Sequence, residues 1–376
     1  RQDNNIAEFD ATMANIPYAS GYNPKTWTKF TDVLIPKKTT SSAIEKLRII
    51  VLFHAMFNMN NKRIGRDMIA NAERLNQIPW EVYGSRKRHR AIECAVNKVL
   101  TTDIARQEHR SMALCSNDAK SCFDRILHAI ATICMRRVGV SRQTCLMMFG
   151  TLAQAQHYIR TNYGDSDQAY SCIEIPFQGI NQGNGAGPGI WLLVSIPIIN
   201  MLKAEGFGFK VRTVISKEKF SFVCYTFVDD SDVVHSLSEN DMTETAEETT
   251  ALVTEMQKVV DTWEGGLRAS GGALVPSKSY WFLIHFIFEN NEWRYAKINE
   301  TPGVITIRDI PGTGRVELER LEAHEARESL GVFSAMDAHS IVLVSYTNRL
   351  DNACVPASAC RFCPALRPLS TNSHTN

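Results

Sequence analysis

Long hydrophobic runs are missing from this 376-residue sequence. The longest, at residues 189–204, is interrupted by Ser195, Pro197 and Asn200 and is too short to cross a bilayer, and no N-terminal signal peptide is recognisable. The ten cysteines follow no regular spacing, which is typical of reduced thiols inside a cell. We therefore expect an intracellular chain, nuclear or cytoplasmic, with neither a membrane span nor a disulfide framework.

Net charge is also nearly absent, since 41 Lys and Arg face 40 Asp and Glu, but the charges are segregated. Residues 62–110 hold eleven Lys and Arg against six Asp and Glu, a net +5, and 86–90 (RKRHR) is the densest run. Residues 229–264 hold eleven Asp and Glu against one Lys, a net −10. A basic lobe suits a polyanion, and part of an acidic lobe suits cations.

Strand and helix patterns follow one another without the strict βα order of a doubly wound sheet, which predicts the α+β class. Residues 1–40 show no clear period, and 42–52 are strand-like. Helical spacing covers about 66–75 and 91–106, and 111–116 is a short apolar strand. A helix is predicted from Asp124 to Gly139, a second from its cap Ser141 to about Tyr158, and an acidic one over 243–264.

Two adjacent carboxylates, Asp229 and Asp230, interrupt an apolar and β-branched stretch (FVCYTFVDDSDVVHSL). Aspartates are common in turns, so an ordinary hairpin would explain them. A third carboxylate, Asp118, follows the strand at 111–116. If these strands are neighbours, each like-charge pair at ~4 Å costs on the order of 4 kcal/mol at an effective dielectric of about 20. Such a cluster needs divalent cations or a protonated member, and oxygen ligands favour Mg²⁺ or Mn²⁺, two of which serve phosphoryl or nucleotidyl transfer.

Three motifs add specificity to this cluster. Residues 118–124 (DAKSCFD) place an aromatic five positions after the Asp and resemble the first palm motif of the reverse transcriptases of retroelements. Residues 227–230 (FVDD) resemble their third motif. Gln182-Gly183 with Pro188 resembles the second, although Gly187 stands where that family has Ser. Gln178-Gly179 is a rival alignment without the downstream Pro.

Further motifs follow in the order of that family. Gly271-Gly272 with Lys278 resembles the fourth motif, and residues 330–332 (LGV) resemble the fifth, the primer grip. Upstream, Arg48, Lys62 and Arg66 are similar to the fingers of non-LTR-type enzymes, and 83–87 (YGSRK) resembles their next finger motif. The resemblance spans about residues 44–335.

The resemblance implies roles for these residues. Two Mg²⁺ or Mn²⁺ ions would be bound by the side chains of Asp118, Asp229 and Asp230 and by the Ala119 carbonyl. Lys278 would protonate the departing pyrophosphate. Phe123 would exclude a ribose 2′-OH, and the remaining nucleotide contacts are Gln182, Gly183, Lys62 and Arg66. The primer grip would be Leu330 and Gly331. Plain alternatives are a structural role for Asp230, a core aromatic at Phe123, solvated lysines and arginine, and an N-cap at Asp124.

The implied fold is a right-hand polymerase whose palm is an antiparallel sheet backed by helices, with an absent or partial thumb. Its expected parts are an upstream linker at 1–40, fingers at 41–115, a palm at 116–285 with a fingers insertion at about 140–180, a primer-grip region at 286–335 and an off-pattern tail at 336–376. The implied activity is RNA-directed DNA synthesis from dNTPs on an RNA template with a DNA or RNA primer. Because the chain begins without Met, we expect other domains of a retroelement polyprotein as partners.

Three other functions fit parts of the pattern. A viral RNA-dependent RNA polymerase would share the three aspartates, but its third motif usually has Gly before the Asp pair, and it has no aromatic gate. A transposase or integrase would use an Asp-Asp-Glu set that could include Glu264, but the glycine-rich loop and the adjacent aspartates argue against it. A truncated or decayed element would bind nucleic acid without turnover.

Overall fold

The computed structural model describes residues 4–37, 47–171, 176–213, 215–237, 245–330 and 332–337. Within the first range, the predicted upstream linker is instead a helix, α1 (Asn4–Ser20), and a strand, β1 (Lys29–Pro36). β1 pairs antiparallel with β2 (Leu47–Leu52) and parallel with β4 (Gln156–Thr161), and β5 (Gly164–Asp165) completes a sheet of order β2-β1-β4-β5. The linker prediction fails because polar Asp32 is buried in β1, where it accepts a hydrogen bond from His157, and so hides the strand pattern.

The two predicted upstream helices are present as α2 (Ala55–Arg74) and α3 (Ala91–Glu108). α2 begins well before residue 66. The prediction missed its first half because buried asparagines stand there beside Phe57 and interrupt the apolar period. The Asn60 amide donates to the Ala14 carbonyl at 2.8 Å, and Asn61 Oδ1 accepts from the Tyr18 hydroxyl at 2.7 Å. Both bonds satisfy buried polar groups, and they fix α1 against α2.

The helix predicted from Asp124 to Gly139 is broken into α4 (Cys122–Arg125) and α5 (His128–Arg137). Ser121 and Leu127 hold the two N-cap positions, so the expected N-cap at Asp124 is wrong. Ser141 does cap α6 (Arg142–Ala153), since its hydroxyl accepts from the Thr144 amide at 3.0 Å. α6 ends before the expected Tyr158, because residues 156–161 pair with β1 as a strand.

A five-stranded sheet of order β15-β10-β3-β9-β8 forms the centre of the molecule. Its strands are β3 (Met112–Asp118), β8 (Cys224–Phe227), β9 (Asp230–His235), β10 (Tyr280–Ile284) and β15 (Glu319–Leu321). β3 pairs antiparallel with both β9 and β10, β8 pairs antiparallel with β9, and β15 pairs parallel with β10. The expected antiparallel sheet is therefore present, with one parallel edge strand.

Helices cover both faces of the central sheet. One face, with Cys115 and Val233, packs in the larger core with α5, α7 (Gly187–Ala204) and α8 (Thr245–Ala269). The opposite face, with Leu114 and Val234, packs against α3 through residues such as Cys94. Helices and strands are thus mixed without βα alternation, and the predicted α+β class is confirmed.

Helix α7, with 18 residues, is among the described residues the one helix long and apolar enough to cross a membrane by length and composition. The expectation that this segment is too short to do so is therefore wrong. However, 67% of the helix is buried inside the fold, as for the core helix of a globular domain.

The remaining strands form small two-stranded pairs at the periphery. They are β6 (Phe209–Arg212) with β7 (Lys219–Phe222), β11 (Phe286–Glu289) with β12 (Glu292–Tyr295), β13 (Thr306–Arg308) with β14 (Arg315–Glu317), and β16 (Arg327–Ser329) with β17 (Val332–Ser334). Of the predicted tail, residues 338–376 lie outside the described residues.

Candidate active site

The two adjacent aspartates lie at a tight turn between β8 and β9. Phe227 pairs with Asp230, so Val228 and Asp229 alone form the connection; residues 227–230 are called the aspartate turn below. Val228 has φ of 59°, a left-handed conformation that a β-branched residue adopts only at an energetic cost. The register of β3 and β9 places Asp118 opposite Asp230. The structure therefore brings the three predicted carboxylates to one end of the central sheet.

The charges at this end of the sheet are coupled. Asp230 is exposed at the surface, yet partial burial of its carboxyl and the nearby charges of Asp229, Asp232 and Asp118 raise its pKa to about 6. Deeper in the sheet, the Lys98 ammonium lies 2.9 Å from a carboxylate oxygen of Asp232, and both side chains are buried. Burial lowers the pKa of Lys98, but the Asp232 carboxylate outweighs this effect and raises it. The innermost carboxylate is thus neutralised by Lys98, while the outer ones repel each other.

Lys278 lies beside the first aspartate. Its Nζ is 3.1 Å from Oδ2 of Asp118, and its side chain is largely exposed. The segment before it runs along the end of β3: the Val275 amide donates to the Asp118 carbonyl at 2.9 Å, and the Lys120 amide donates to the Ala273 carbonyl at 2.9 Å. Neither bond uses the carbonyl of Ala119, the expected backbone ligand. Sequence reasoning missed Ser279, whose hydroxyl accepts from the Asp118 amide at 3.2 Å.

A cavity of about 460 Å³ joins the aspartate turn to the loop before α7. Its lining includes Asp229 from the turn, Phe123 from α4, Gln182 and Gly183 from the loop, and Arg48 from β2. We call this the glycine-loop cavity, after residues 181–187. The structure thus gathers three of the predicted nucleotide contacts around one space next to a predicted metal ligand.

The glycine loop is fixed by neighbouring elements. The Val51 amide of β2 donates to the Gln182 carbonyl at 2.8 Å. The Asn58 side chain of α2 donates to the Gly183 carbonyl at 3.0 Å and accepts from the Gly185 amide at 2.7 Å. Sequence reasoning missed Asn58, because its partners are more than a hundred residues away in the chain and it lies in a polar run without a motif.

The two remaining predicted phosphate contacts, Lys62 and Arg66, lie on the exposed surface of α2. Lys62 packs against the loop backbone, since a Cβ on Gly185 would lie 2.6 Å from the Lys62 Cβ. Neither side chain lines the glycine-loop cavity, whereas Arg48 does line it.

Asp124, within α4, bonds to the glycine loop and does not cap a helix. Burial raises the pKa of its carboxyl, although a hydrogen bond with the Gln182 backbone opposes the change. Phe123, next to it, is half-buried, and its ring contacts the Trp191 ring edge-on with centroids 6.4 Å apart.

A second cavity, of about 520 Å³, is lined by Asp118 and Asp230. Lys278, Tyr280 and Arg327 line it with Ser329, the last residue of β16. The predicted primer-grip residue Leu330 follows with φ of 55° and packs against the core beneath the sheet. Gly331, predicted with it, lies outside the described residues.

The donor set suits a hard divalent cation. It consists of carboxylate oxygens; burial and, after it, the neighbouring carboxylates raise the pKa of Asp230, and a bound cation would relieve the repulsion among the carboxylates. Among the described residues, no group of three or more His, Cys, Asp or Glu side chains is already gathered into a metal-binding arrangement. The residues fit the ions in chemistry and charge, and the side chains would have to close around them.

Comparisons with known proteins find only limited similarity. No protein-family model and no curated protein matches the chain. Among solved structures, apo telomerase from Candida tropicalis is similar with a TM-score of 0.47 and 12% identity, over 90% of this chain and 53% of that one. Telomerase from Candida albicans in complex with a fragment of telomeric RNA is similar with a TM-score of 0.45 and 11% identity, over 73% and 45%. The chain thus spans about half the length of these proteins, and TM-scores below 0.5 assign it no function.

Proposed function

We propose that this chain is a template-directed nucleotidyl transferase of the reverse-transcriptase type, which adds dNTPs to a primer 3′-OH on an RNA template. One observation carries the proposal: Asp118 and Asp230 are paired across adjacent strands, and Asp229 next to them faces a cavity lined by Phe123 and Gln182. In this proposal the central sheet is the palm. The sheet β2-β1-β4-β5 with α2 is the fingers, so the fingers include residues before 41.

Asp118, Asp229 and Asp230 would hold two Mg²⁺ or Mn²⁺ ions, which, when bound, activate the primer hydroxyl and stabilise the charge on the transferred phosphoryl group. The rigid frame around the aspartates comes from the chain itself. β3 and β9 fix the backbones of Asp118 and Asp230 in register, and the buried Lys98–Asp232 pair anchors β9 to α3. The outer carboxylates are therefore held close together despite their repulsion.

The glycine-loop cavity would receive the incoming dNTP. The half-buried Phe123 would lie under the sugar, where a ribose 2′-OH would clash with it. Gln182 would contact the base or template, and Arg48 would meet the triphosphate. Lys278, held at Asp118, could donate a proton to the leaving pyrophosphate once its bond to Asp118 is given up.

The second cavity would receive the primer end. It is lined by Asp118 and Asp230, whereas the glycine-loop cavity is lined by Asp229, so a primer 3′-OH in the second cavity and a dNTP in the glycine-loop cavity would meet at the three carboxylates. The primer, DNA or RNA, and the RNA template would run from this point along the basic segment at 86–90. Membership of a retroelement polyprotein stays a prediction.

Primer extension tests the proposal. Wild type and Asp229→Asn are compared on an RNA template with Mg²⁺ and then Mn²⁺, with dNTPs or rNTPs. Extension with dNTPs that disappears in Asp229→Asn is the expected result. Extension with rNTPs only would instead indicate an RNA polymerase. Duplex binding without any extension would indicate a decayed element, and either result would overturn the proposed activity.

A further inference from the structure

The aspartate turn holds an unfavourable backbone conformation. Val228, between Phe227 and Asp229, has φ of 59°, in a region where a two-residue turn normally has Gly, Asn or Asp. Valine is strained there, because its branched Cβ crowds the backbone. A strained residue keeps its conformation only when neighbouring groups hold it.

Two groups hold Val228 from different sides. The indole Nε1 of Trp191, on α7, donates to the Val228 carbonyl at 2.5 Å, and Trp191 is only 7% exposed. On another side Gly84 lies against the turn so closely that a Cβ on it would be 2.3 Å from the Val228 nitrogen. Gly84 itself is tethered, since its neighbour Tyr83 donates to the Thr226 carbonyl of β8 at 2.9 Å.

Trp191 also reaches the predicted sugar gate. Its ring meets Phe123 edge-on at 6.4 Å between centroids, and Phe123 and Asp229 line the same cavity. One buried side chain therefore contacts both the turn that presents Asp229 and the aromatic ring next to the nucleotide space.

We propose that Trp191 is a positioning residue, an inference that rests on the proposed function. Through the bond from its indole N–H to the Val228 carbonyl, it fixes the aspartate turn and with it the Asp229 carboxylate. Without that bond the Val228 carbonyl loses its donor, and the strained turn can relax to other backbone angles. Because Asp229 is the next residue, its carboxylate moves with the turn. A displacement of about 1 Å at a catalytic centre can cost about a hundredfold in rate.

A matched control is available in the same part of the core. Trp263, on α8, lines a small internal space with Trp191, Val228 and Asp229, and its indole nitrogen has no hydrogen-bond partner within the described chain. Trp191→Phe and Trp263→Phe remove the same atoms from adjacent buried sites, but only the first removes a bond to the turn.

The first measurement is amide hydrogen exchange of a peptide that covers residues 226–231, with apparent thermal stability recorded for both variants. We expect exchange at the turn to be about tenfold faster in Trp191→Phe than in Trp263→Phe or wild type. Equal exchange in the two variants would overturn the proposal, whether or not the protein is an active polymerase.

The second measurement is steady-state primer extension. Trp191→Phe should lower kcat by about tenfold to a hundredfold and raise the Mg²⁺ concentration needed for half-maximal rate, with KM for dNTP and duplex affinity close to those of Trp263→Phe. Equal loss of kcat in both variants would show a general packing effect. If wild type does not extend primers, the proposed function fails, and the exchange experiment still decides the role of Trp191.

Gly84→Ala provides an independent variant should Trp191→Phe not fold. The new methyl group would press on the Val228 nitrogen from its other side, so the same faster exchange and lower kcat are expected. If Gly84→Ala is folded and shows faster exchange at the turn with an unchanged kcat, the conformation of the turn does not position the Asp229 carboxylate and the proposal is wrong.

Discussion

Two glycines, Gly183 in the loop before α7 and Gly187 at the first position of α7, differ in what an added side chain would meet. Gly183 has φ of 112°, and a Cβ there would lie 2.4 Å from the Val51 carbonyl oxygen. Gly187 has no such conformation, and its Cβ would meet the Phe123 ring at an ordinary 3.6 Å. We expect Gly183→Ala to destabilise the fold by about 1–3 kcal/mol, and Gly187→Ser, which restores the residue usual in the resembling family, to change stability by less than about 0.5 kcal/mol. Urea unfolding measures both, and equal costs would contradict this assignment.

The raised pKa of Asp230 predicts how stability depends on pH. The pKa of about 6 in the folded chain lies above the ordinary 3.8, so the protonated form is favoured by folding. The stabilisation that the protonated Asp230 carboxyl gives the folded state is complete below about pH 4 and is lost as pH rises through 6. Asp230→Asn should therefore be more stable than wild type at pH 7.5 without divalent cations, by on the order of 1 kcal/mol once screening by water is allowed for, and similar at pH 4.5. Thermal unfolding at the two pH values, with the substitution Asp10→Asn at an exposed position of α1 as control, tests the sign.

Phe123 predicts sugar selectivity. Its ring lines the cavity that also contains Asp229, so Phe123→Val should make room for a ribose 2′-OH and raise the use of rNTPs relative to dNTPs. The ratio of kcat/KM for the two nucleotide classes is the measurement, and Phe149→Val, a change in another aromatic of the same core, is the control. An unchanged ratio in Phe123→Val would leave Phe123 as a core residue.

Helix α2 holds the glycine loop through the side chain of Asn58. Its side chain makes both hydrogen bonds that hold Gly183 and Gly185, so Asn58→Ala should loosen the glycine loop and raise KM for dNTP several-fold, with a loss of about 1–2 kcal/mol in stability. Met59→Ala, at the adjacent position that is 62% exposed, should leave both unchanged. Steady-state kinetics and urea unfolding give the two numbers, and an unaltered KM in Asn58→Ala would separate α2 from nucleotide binding.

Elements with a regular apolar period were predictable, and those that bury polar side chains were not. The β8–β9 hairpin and the capped start of α6 follow from β-branched runs and from Ser141. The first half of α2 and strand β1 were missed because Asn60, Asn61 and Asp32 occupy buried positions and find hydrogen-bond partners far along the chain. Such partners exist only once the chain is folded.

At the scale of the whole chain, local motifs predicted the aspartates that the sheet brings together, but not the residues that hold them in place. The adjacency of Asp118 and Asp230 was expected from where their strands end, and the register confirms that they are neighbours. Asn58, Trp191 and the Lys98–Asp232 pair have no local signal, because each acts across 37 residues or more. These contacts join residues that are distant in sequence and form only in the folded chain, so the spacing of residues in the sequence does not predict them.

The segregation of charge between the lobes predicts the salt dependence of nucleic-acid binding. In the basic run, Arg86 is bound to Glu73 at 3.1 Å, while Lys87, Arg88 and Arg90 are exposed. If those three contact phosphates, the logarithm of primer–template affinity should fall linearly with the logarithm of salt concentration. The triple alanine variant should then reduce the magnitude of that slope by about 2–3, since each phosphate contact contributes roughly 0.9.

Lys258→Ala removes one positive charge from the acidic helix α8, where the lysine bonds to Glu255 at 2.7 Å. It should leave the slope unchanged, because this side chain belongs to the lobe that repels phosphate. Titrations at several salt concentrations on one duplex, with a second duplex of different sequence, measure both variants. A salt slope unaffected by the triple substitution would show that residues 86–90 are not part of the binding surface. Equal losses of affinity on both duplexes would show that these residues contact the phosphate backbone without regard to sequence.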